Sequence, residues 1–315
     1  MKKTISKLYS YKPLKNYTGL MGSIPVKNKD VFVGVEIELE NVFNGYKLGT
    51  YQKVTDNSLK INGAELVTVP IKMKYLEVEL RRLFGGLNSD TLVTKRCSVH
   101  VHMNVRDMTP NQVLNLVMLY MIFERSLYRV SGDRWNSNFC VPLAQAYNLV
   151  NELFKNWDHV LSWFWEKYTG LNLCPIYGGE SHCIGTVEFR QLHGTTSVEE
   201  IMMWCNMITA LKRAAQDIPQ EEILDIIKTI DSVDEYRLLA RRIFGSYAKF
   251  LTTQSTFAED CEWCKTNLKF MIPEKHFQDT IPKMENPTVL ELWSLGNYAD
   301  TINSMPAITK VSFTN

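Results

Sequence analysis

Val31-Phe32-Val33-Gly34-Val35-Glu36-Ile37-Glu38-Leu39 alternates without a break. Val31, Val33, Val35, Ile37 and Leu39 fall on one side of an extended chain, and Phe32, Gly34, Glu36 and Glu38 on the other. The stretch predicts a strand with one apolar face for a core and one acidic face. Glu36 and Glu38, two residues apart, point the same way. Interior charge is costly unless it is paired or bound to metal, so that face needs partners.

Comparable strands follow. Val99 to Val105 alternates again and sets His100, His102 and Asn104 together. Thr186 to Leu192 does the same for Glu188 and Arg190, and Ala64 to Ile71, closed by Pro70, predicts a strand bearing Glu65. Taken singly, an ExE or an HxH is more often a solvated face or a hydrogen-bonded surface pair. Four strands that all offer carboxylate or imidazole groups point instead to one shared site. Three or four carboxylates with at most one imidazole suit Mg²⁺ or Mn²⁺ better than Zn²⁺. Mg²⁺ in turn suggests a phosphate-bearing substrate. The sequence has no P-loop and no GxGxxG, so nucleotide binding would need another fold.

Between the strands the pattern turns helical. Asp56-Asn57-Ser58 reads as a turn, and Lys74 to Phe84 as a helix ended by Gly85-Gly86. Thr109-Pro110 supplies an N-cap and first-turn proline for a long apolar helix stopped at Gly132. A helix rich in Trp and Phe is predicted from Tyr147 to Tyr168, with Trp157, Trp163, Phe164 and Trp165 as packing surface rather than a base-stacking platform. Ile176 to Gly185 reads as a loop. Ser197 with Glu200 forms a capping box before a stripe of Ile201, Cys205, Ile208, Leu211 and Ala215, and Ser232 with Glu235 repeats the device. Beyond Gly245 short helical pieces mix with Pro273, Pro282, Pro287 and Pro306. Strands interrupted by helical hairpins, without a βαβ rhythm, predict an α+β fold with a largely antiparallel sheet. The expected organisation is an arm over 1–30, a catalytic core over 31–215 and a helical region over 216–315 packed on the same domain.

Composition sets the bounds. A chain of 315 residues that is 45% hydrophobic can bury a core without staples. Lys plus Arg at 35 against Asp plus Glu at 34 leaves +1, which gives no global attraction for nucleic acid or an anionic membrane. Seven cysteines at irregular spacings read as reduced thiols, and Cys261-x-x-Cys264 as two incidental ones. Cys140 and Cys183 read as buried thiols, and His193, expected on the strand face opposite Glu188, as structural. The basic N-terminus lacks an apolar core behind it, and the longest apolar run, Val117 to Phe123, is far short of the roughly 20 residues a membrane span needs. The expected location is the cytoplasm.

The blocks Gly34-Val35-Glu36-Ile37-Glu38, Asp56-Asn57-Ser58-Leu59, Glu65-Leu66-Val67-Thr68-Val69-Pro70 and Cys97-Ser98-Val99-His100-Val101-His102 occur in that order. They are followed by Arg134 to Leu143 and by Gly185-Thr186-Val187-Glu188-Phe189-Arg190 with Gly194-Thr195. Together they resemble the amidoligase family, part of the superfamily that contains glutamine synthetase and glutamate-cysteine ligase. The resemblance covers about residues 31 to 215.

It implies a glutamine-synthetase-like domain whose curved antiparallel sheet holds ATP and Mg²⁺ (or Mn²⁺) on its concave face. In that scheme Glu36, Glu38, Glu65, His100 and Glu188 are metal ligands. His100, His102 and Arg190 contact the nucleotide. Arg190 and Arg134 hold the transferring phosphoryl group, with Asp56 aiding a metal or the amine. Ser98 stands where the resembled pattern has glycine. The implied activity is an ATP-dependent carboxylate-amine ligase acting through an acyl phosphate, with Ile176 to Gly185 as a lid against water. Small-molecule or peptide acids and amines are the expected substrates, with a glutamine amidotransferase as a partner supplying ammonia. Two rivals stand beside this reading: a metal-dependent hydrolase or oxygenase on a β-barrel of cupin type, using HxH, a later Glu and a further ligand from His193 or His182, which leaves Glu36, Glu38 and Arg134 unexplained, and a non-catalytic binding protein that keeps the ligase fold.

Overall fold

The computed structural model describes residues 4–8, 31–42, 51–56, 58–132, 134–146, 149, 165–176 and 184–271. Its strands are β1 (Phe32–Leu39), β2 (Tyr51–Val54), β3 (Ala64–Thr68), β4 (Ile71–Lys72), β5 (Ser98–Asn104), β6 (Leu171–Asn172) and β7 (Thr186–His193). They form one seven-stranded open sheet in the order β2-β3-β1-β5-β7-β6, with β4 also paired to β1. All these pairings are antiparallel, and with the flanking helices they make the fold α+β. The described strands do not close into the barrel that the cupin-type rival requires.

The alternation read at β1 is the reason for this layering. Val33, Val35, Ile37 and Leu39 are buried with Val99, Val101 and Met103 of β5 and Val187 and Phe189 of β7. Against them pack α2 (Met73–Gly85), α3 (Pro110–Val130) and α4 (Val198–Asp217). The Phe189 ring meets Tyr120 of α3 edge-on at 6.2 Å and Trp204 of α4 at 6.5 Å. Each such buried side chain contributes about 1.5–3 kcal/mol of hydrophobic stabilisation.

Local sequence sets the helix ends. Thr109 caps α3 through a reciprocal box with Gln112. The helix stops before Gly132, whose φ of 98° suits glycine and whose side a Cβ would drive into the His193 ring. Ser197 caps α4, but the expected box is only half made: Thr195 Oγ1 donates to the Glu200 carboxylate, and Thr195 also accepts from Ser197 N–H at 3.0 Å.

The C-terminal half adds α5 (Gln220–Thr229), α6 (Val233–Phe244), α7 (Ala248–Thr252) and α8 (Phe257–Met271) behind α3. Ser232 caps α6 with the full reciprocal box. Asp260 of α8, fully buried, accepts from Arg129 Nε at 2.8 Å and Ser126 Oγ at 3.0 Å on α3. Residues 5–8 of the expected arm form a short helix, α1 (Ile5–Leu8), tied to the body by Ile5 N–H donating to Met108 O at 2.7 Å.

Three further readings change. The segment from Ala64 does not run on as one strand: β3 ends at Thr68 and β4 begins at Ile71. Across the break, four steps on β1, from Glu36 to Phe32, face five on its partner, from Val67 to Lys72. Pro70 has no N–H for the ladder, and Thr68 Oγ1 accepts from Val35 N–H at 2.7 Å. Trp165 to Tyr168 are not helical, and the Trp165 indole donates to Leu171 O at 2.7 Å. The rest of that predicted helix, Leu149 apart, lies outside the described residues, as do Asn57, His182, Cys183, residues 177–183 of the expected lid and the chain beyond 271. Third, the β5–β7 pairing shifts between Val99 and Val101, so His193 stands opposite Ser98 and strict alternation does not fix its face. Its ring still binds structure, with Nδ1 3.0 Å from Ser131 O.

All cysteines among the described residues are free thiols. No helix among them is long and apolar enough to cross a membrane.

Candidate active site

Strand register gathers the polar pairs. Glu38 of β1 is the direct partner of Glu65 on β3, Glu36 of His100 on β5, and His102 of Glu188 on β7. Antiparallel partners share a face, so a row of carboxylates and imidazoles crosses four strands on the side away from α3 and α4. The row lines a cavity of about 820 Å³. Glu36, Glu38, Asp56, Glu65, His100, His102, Arg134, Glu188 and Arg190 all reach its wall.

The contacts are close. His102 Nε2 lies 3.0 Å from Glu36 Oε1, and His100 Nδ1 lies 3.4 Å from both Glu36 Oε2 and Glu188 Oε1. Arg190 Nη1 donates to Glu188 Oε1, while its Nε donates to Phe139 O at 3.1 Å. Arg134 Nη1 donates to Arg190 O at 2.8 Å, so this arginine also braces the β7 backbone. Asp56 Oδ1 accepts from Ser58 N–H at 2.7 Å, which closes the predicted turn and holds a carboxylate near Glu65.

Burial and neighbouring charge shift these groups in opposite directions. Burial works to raise the Glu36 carboxyl, but the imidazoles of His102 and His100 outweigh it and hold the group well below the usual range. Glu188 is likewise buried, and His102, Arg190 and His100 lower it. Glu65 has no such relief: burial and the charges of Glu36, Glu38 and Asp56 push it up to about 9. Burial works to lower His102, and the carboxylates of Glu36 and Glu188 raise it.

Two sets of donor atoms converge, each with its atoms within 4.8 Å of one another: Glu36, His102 and Glu188, and Glu36, Glu65 and His100. Glu36 belongs to both. Each set offers two carboxylates and one imidazole, a mainly hard donor set that fits Mg²⁺ or, with the nitrogen, Mn²⁺. A further observation supports the fit. His102 Nδ1 is 3.0 Å from Thr186 Oγ1, while its buried Nε2 is turned to the Glu36 carboxylate at 3.0 Å. An imidazole whose far nitrogen is held and whose near nitrogen faces carboxylate oxygens is arranged as a metal ligand. Glu38 belongs to neither set.

Two side chains join the site in ways that strand periodicity does not reveal. Asn172 of β6, the register partner of Glu188, donates from Nδ2 to Glu188 Oε2 at 2.6 Å. Ser98, in the glycine position of the resembled pattern, donates to Glu38 Oε2 from its N–H at 2.8 Å and from its hydroxyl at 2.6 Å. Cys140 is fully buried, and burial pushes its thiol up to about 11, which disfavours the thiolate a nucleophile needs.

A family model described as "Putative amidoligase enzyme" matches residues 43–212, more than half of the chain. The match begins after β1, so the placing of Glu36 and Glu38 rests on strand register. A search of the curated proteins gives no match.

Proposed function

The chain belongs to the family described as putative amidoligase enzymes, which makes it a ligase-type enzyme, and from that premise we propose that it joins a carboxylate to an amine using ATP and Mg²⁺ or Mn²⁺. The observation that carries the reading is the convergence of Glu36, Glu65, His100, His102 and Glu188, from four strands, on one cavity. Those residues would hold the divalent ions. When bound, such ions neutralise phosphate oxygens and allow a nucleotide and an anionic acid to approach.

The chemistry then follows from what a carboxylate lacks. Its oxygen is a poor leaving group until phosphorylated, so the acid oxygen attacks the γ-phosphorus of ATP and ADP departs. The amine nitrogen attacks the resulting acyl phosphate, the C–N bond forms, and phosphate leaves as the nitrogen loses its proton. Arg190 and Arg134 would face the transferring phosphoryl group. Both are braced by backbone carbonyls, which spares the reorganisation a free side chain would need. Asp56, held by Ser58, is assigned to the amine as it loses charge.

Reactions with ATP and pooled acids and amines, followed by mass spectrometry, test this reading. The expected product is lighter by one water than its two parents, with phosphate released in step with added amine. Phosphate release that ignores every amine, or no ATP turnover at all, would remove the ligase assignment.

A further inference from the structure

Glu38 is the one carboxylate of the row that joins neither convergent set, and one of its oxygens is held by a neighbouring serine. Ser98 N–H and Ser98 O–H both donate to the same oxygen, Oε2, at 2.8 and 2.6 Å. A serine hydroxyl has a single proton, and here it is given to the carboxylate. Ser98 Oγ also lies 2.9 Å from His100 Nε2. With its own proton committed, the oxygen can only accept at that contact, so His100 must donate from Nε2–H. A neutral imidazole protonated at Nε2 has its lone pair on Nδ1. Nδ1 is the atom that lies 3.4 Å from Glu36 Oε2 and from Glu188 Oε1; without an ion a charged ring also donates there, to Glu36, and a cation would take the place of that proton.

Resting on the metal-dependent reading above, we infer that Glu38, Ser98 and His100 form a relay: Glu38 acts through the Ser98 hydroxyl to fix the His100 tautomer and aim Nδ1 at the cation. Ser98 is a positioning residue. A carboxylate behind a ligating imidazole is a known way to orient the ring and strengthen it as a donor. Here a serine stands between the two, Glu38 Oε1 itself lying 3.8 Å from His100 Nε2 and beyond hydrogen-bond reach, and all three side chains are buried, so water does not compete freely for the contacts. Glycine at this position would keep the N–H that holds Glu38 and lose the hydroxyl that reaches His100.

The test compares wild type with S98G, S98A and S98T. In metal-free full-length protein, ¹⁵N imidazole spectra are recorded at a pH above the ordinary imidazole range. Wild type and S98T should show His100 protonated at Nε2, and S98G and S98A a mixture of tautomers. Mg²⁺ affinity by calorimetry should fall about 10–100-fold in S98G and return in S98T. His100 unprotonated at Nε2 in wild type overturns the relay. So does S98G with an unchanged Nε2–H signal and unchanged Mg²⁺ affinity. Should wild type bind no Mg²⁺, the ligase reading fails on that count, while the spectra still decide whether Ser98 sets the tautomer.

Discussion

Glu38 on β1 and Glu65 on β3 are direct cross-strand partners, two acids placed opposite each other inside a cavity. Like charges so placed destabilise a sheet. Glu65 shows the strain, pushed up to about 9 by burial and by Glu36, Glu38 and Asp56. A divalent ion would relieve it. Mg²⁺ or Mn²⁺ at about a hundredfold excess over Kd should stabilise the fold by about 2.7 kcal/mol. Thermal melts with and without a chelator check this, and an unchanged Tm in saturating ion would count against the metal centre.

Glu36 is shared by both convergent sets and Glu188 anchors one of them. Glu36→Gln and Glu188→Gln keep side-chain size and remove charge. Each should lower ATP-dependent turnover by at least about 100-fold while the far-UV circular dichroism stays that of wild type. Near-normal rates in either variant would refute that residue's role.

Glu124 on α3, which does not line the cavity, offers a pH test. Burial pushes its carboxyl up to about 7, against the N–H groups of Leu143 at 2.6 Å and Ala144 at 3.3 Å, which favour the charged form. The folded state therefore binds this proton more tightly than the unfolded chain. Its contribution is complete below the ordinary carboxyl range and is lost as pH rises through about 7. The loss is on the order of 3 kcal/mol. Urea melts across this range should show wild type losing stability relative to Glu124→Gln as pH rises; parallel curves would contradict the assignment.

Asp260 ties α8 to α3 through Arg129, Arg125 and Ser126. Asp260→Ala takes the buried acceptor from Arg125, Arg129 and Ser126, though Arg129 keeps Glu259 and Ser126 keeps Tyr236, and should cost about 1–3 kcal/mol in denaturant melts. A loss below about 1 kcal/mol would show the pair to be dispensable.

Most of the row was readable because the sheet has one dry face and one polar face, and period-two alternation reports that difference directly. β1, β5 and β7 carried it plainly, and with it Glu36, His100, His102, Glu188 and Arg190. Asn172 was not readable: β6 is two residues long, too short for any period, and only its register with β7 brings the amide to Glu188. The break at Pro70 and the face of His193 also escaped, since an extra residue in a ladder leaves no mark on composition. In the sequence Ser98 stands out only as a departure from glycine, because hydrogen-bond direction depends on where Glu38 and His100 arrive in space. The tail of the aromatic helix failed where Trp165 found acceptors in Thr169 and Leu171 instead of a helical turn.

The family match stops at residue 212, inside α4 and short of α8. Buried side chains of Ile223, Tyr236, Phe244 and Leu268 belong to the same core as the sheet's dry face. Excising the matched stretch would therefore bare the rear of α3 to water. An engineer transplanting this pocket would have to carry the chain through Met271 as ballast for the strands that bear the chemistry.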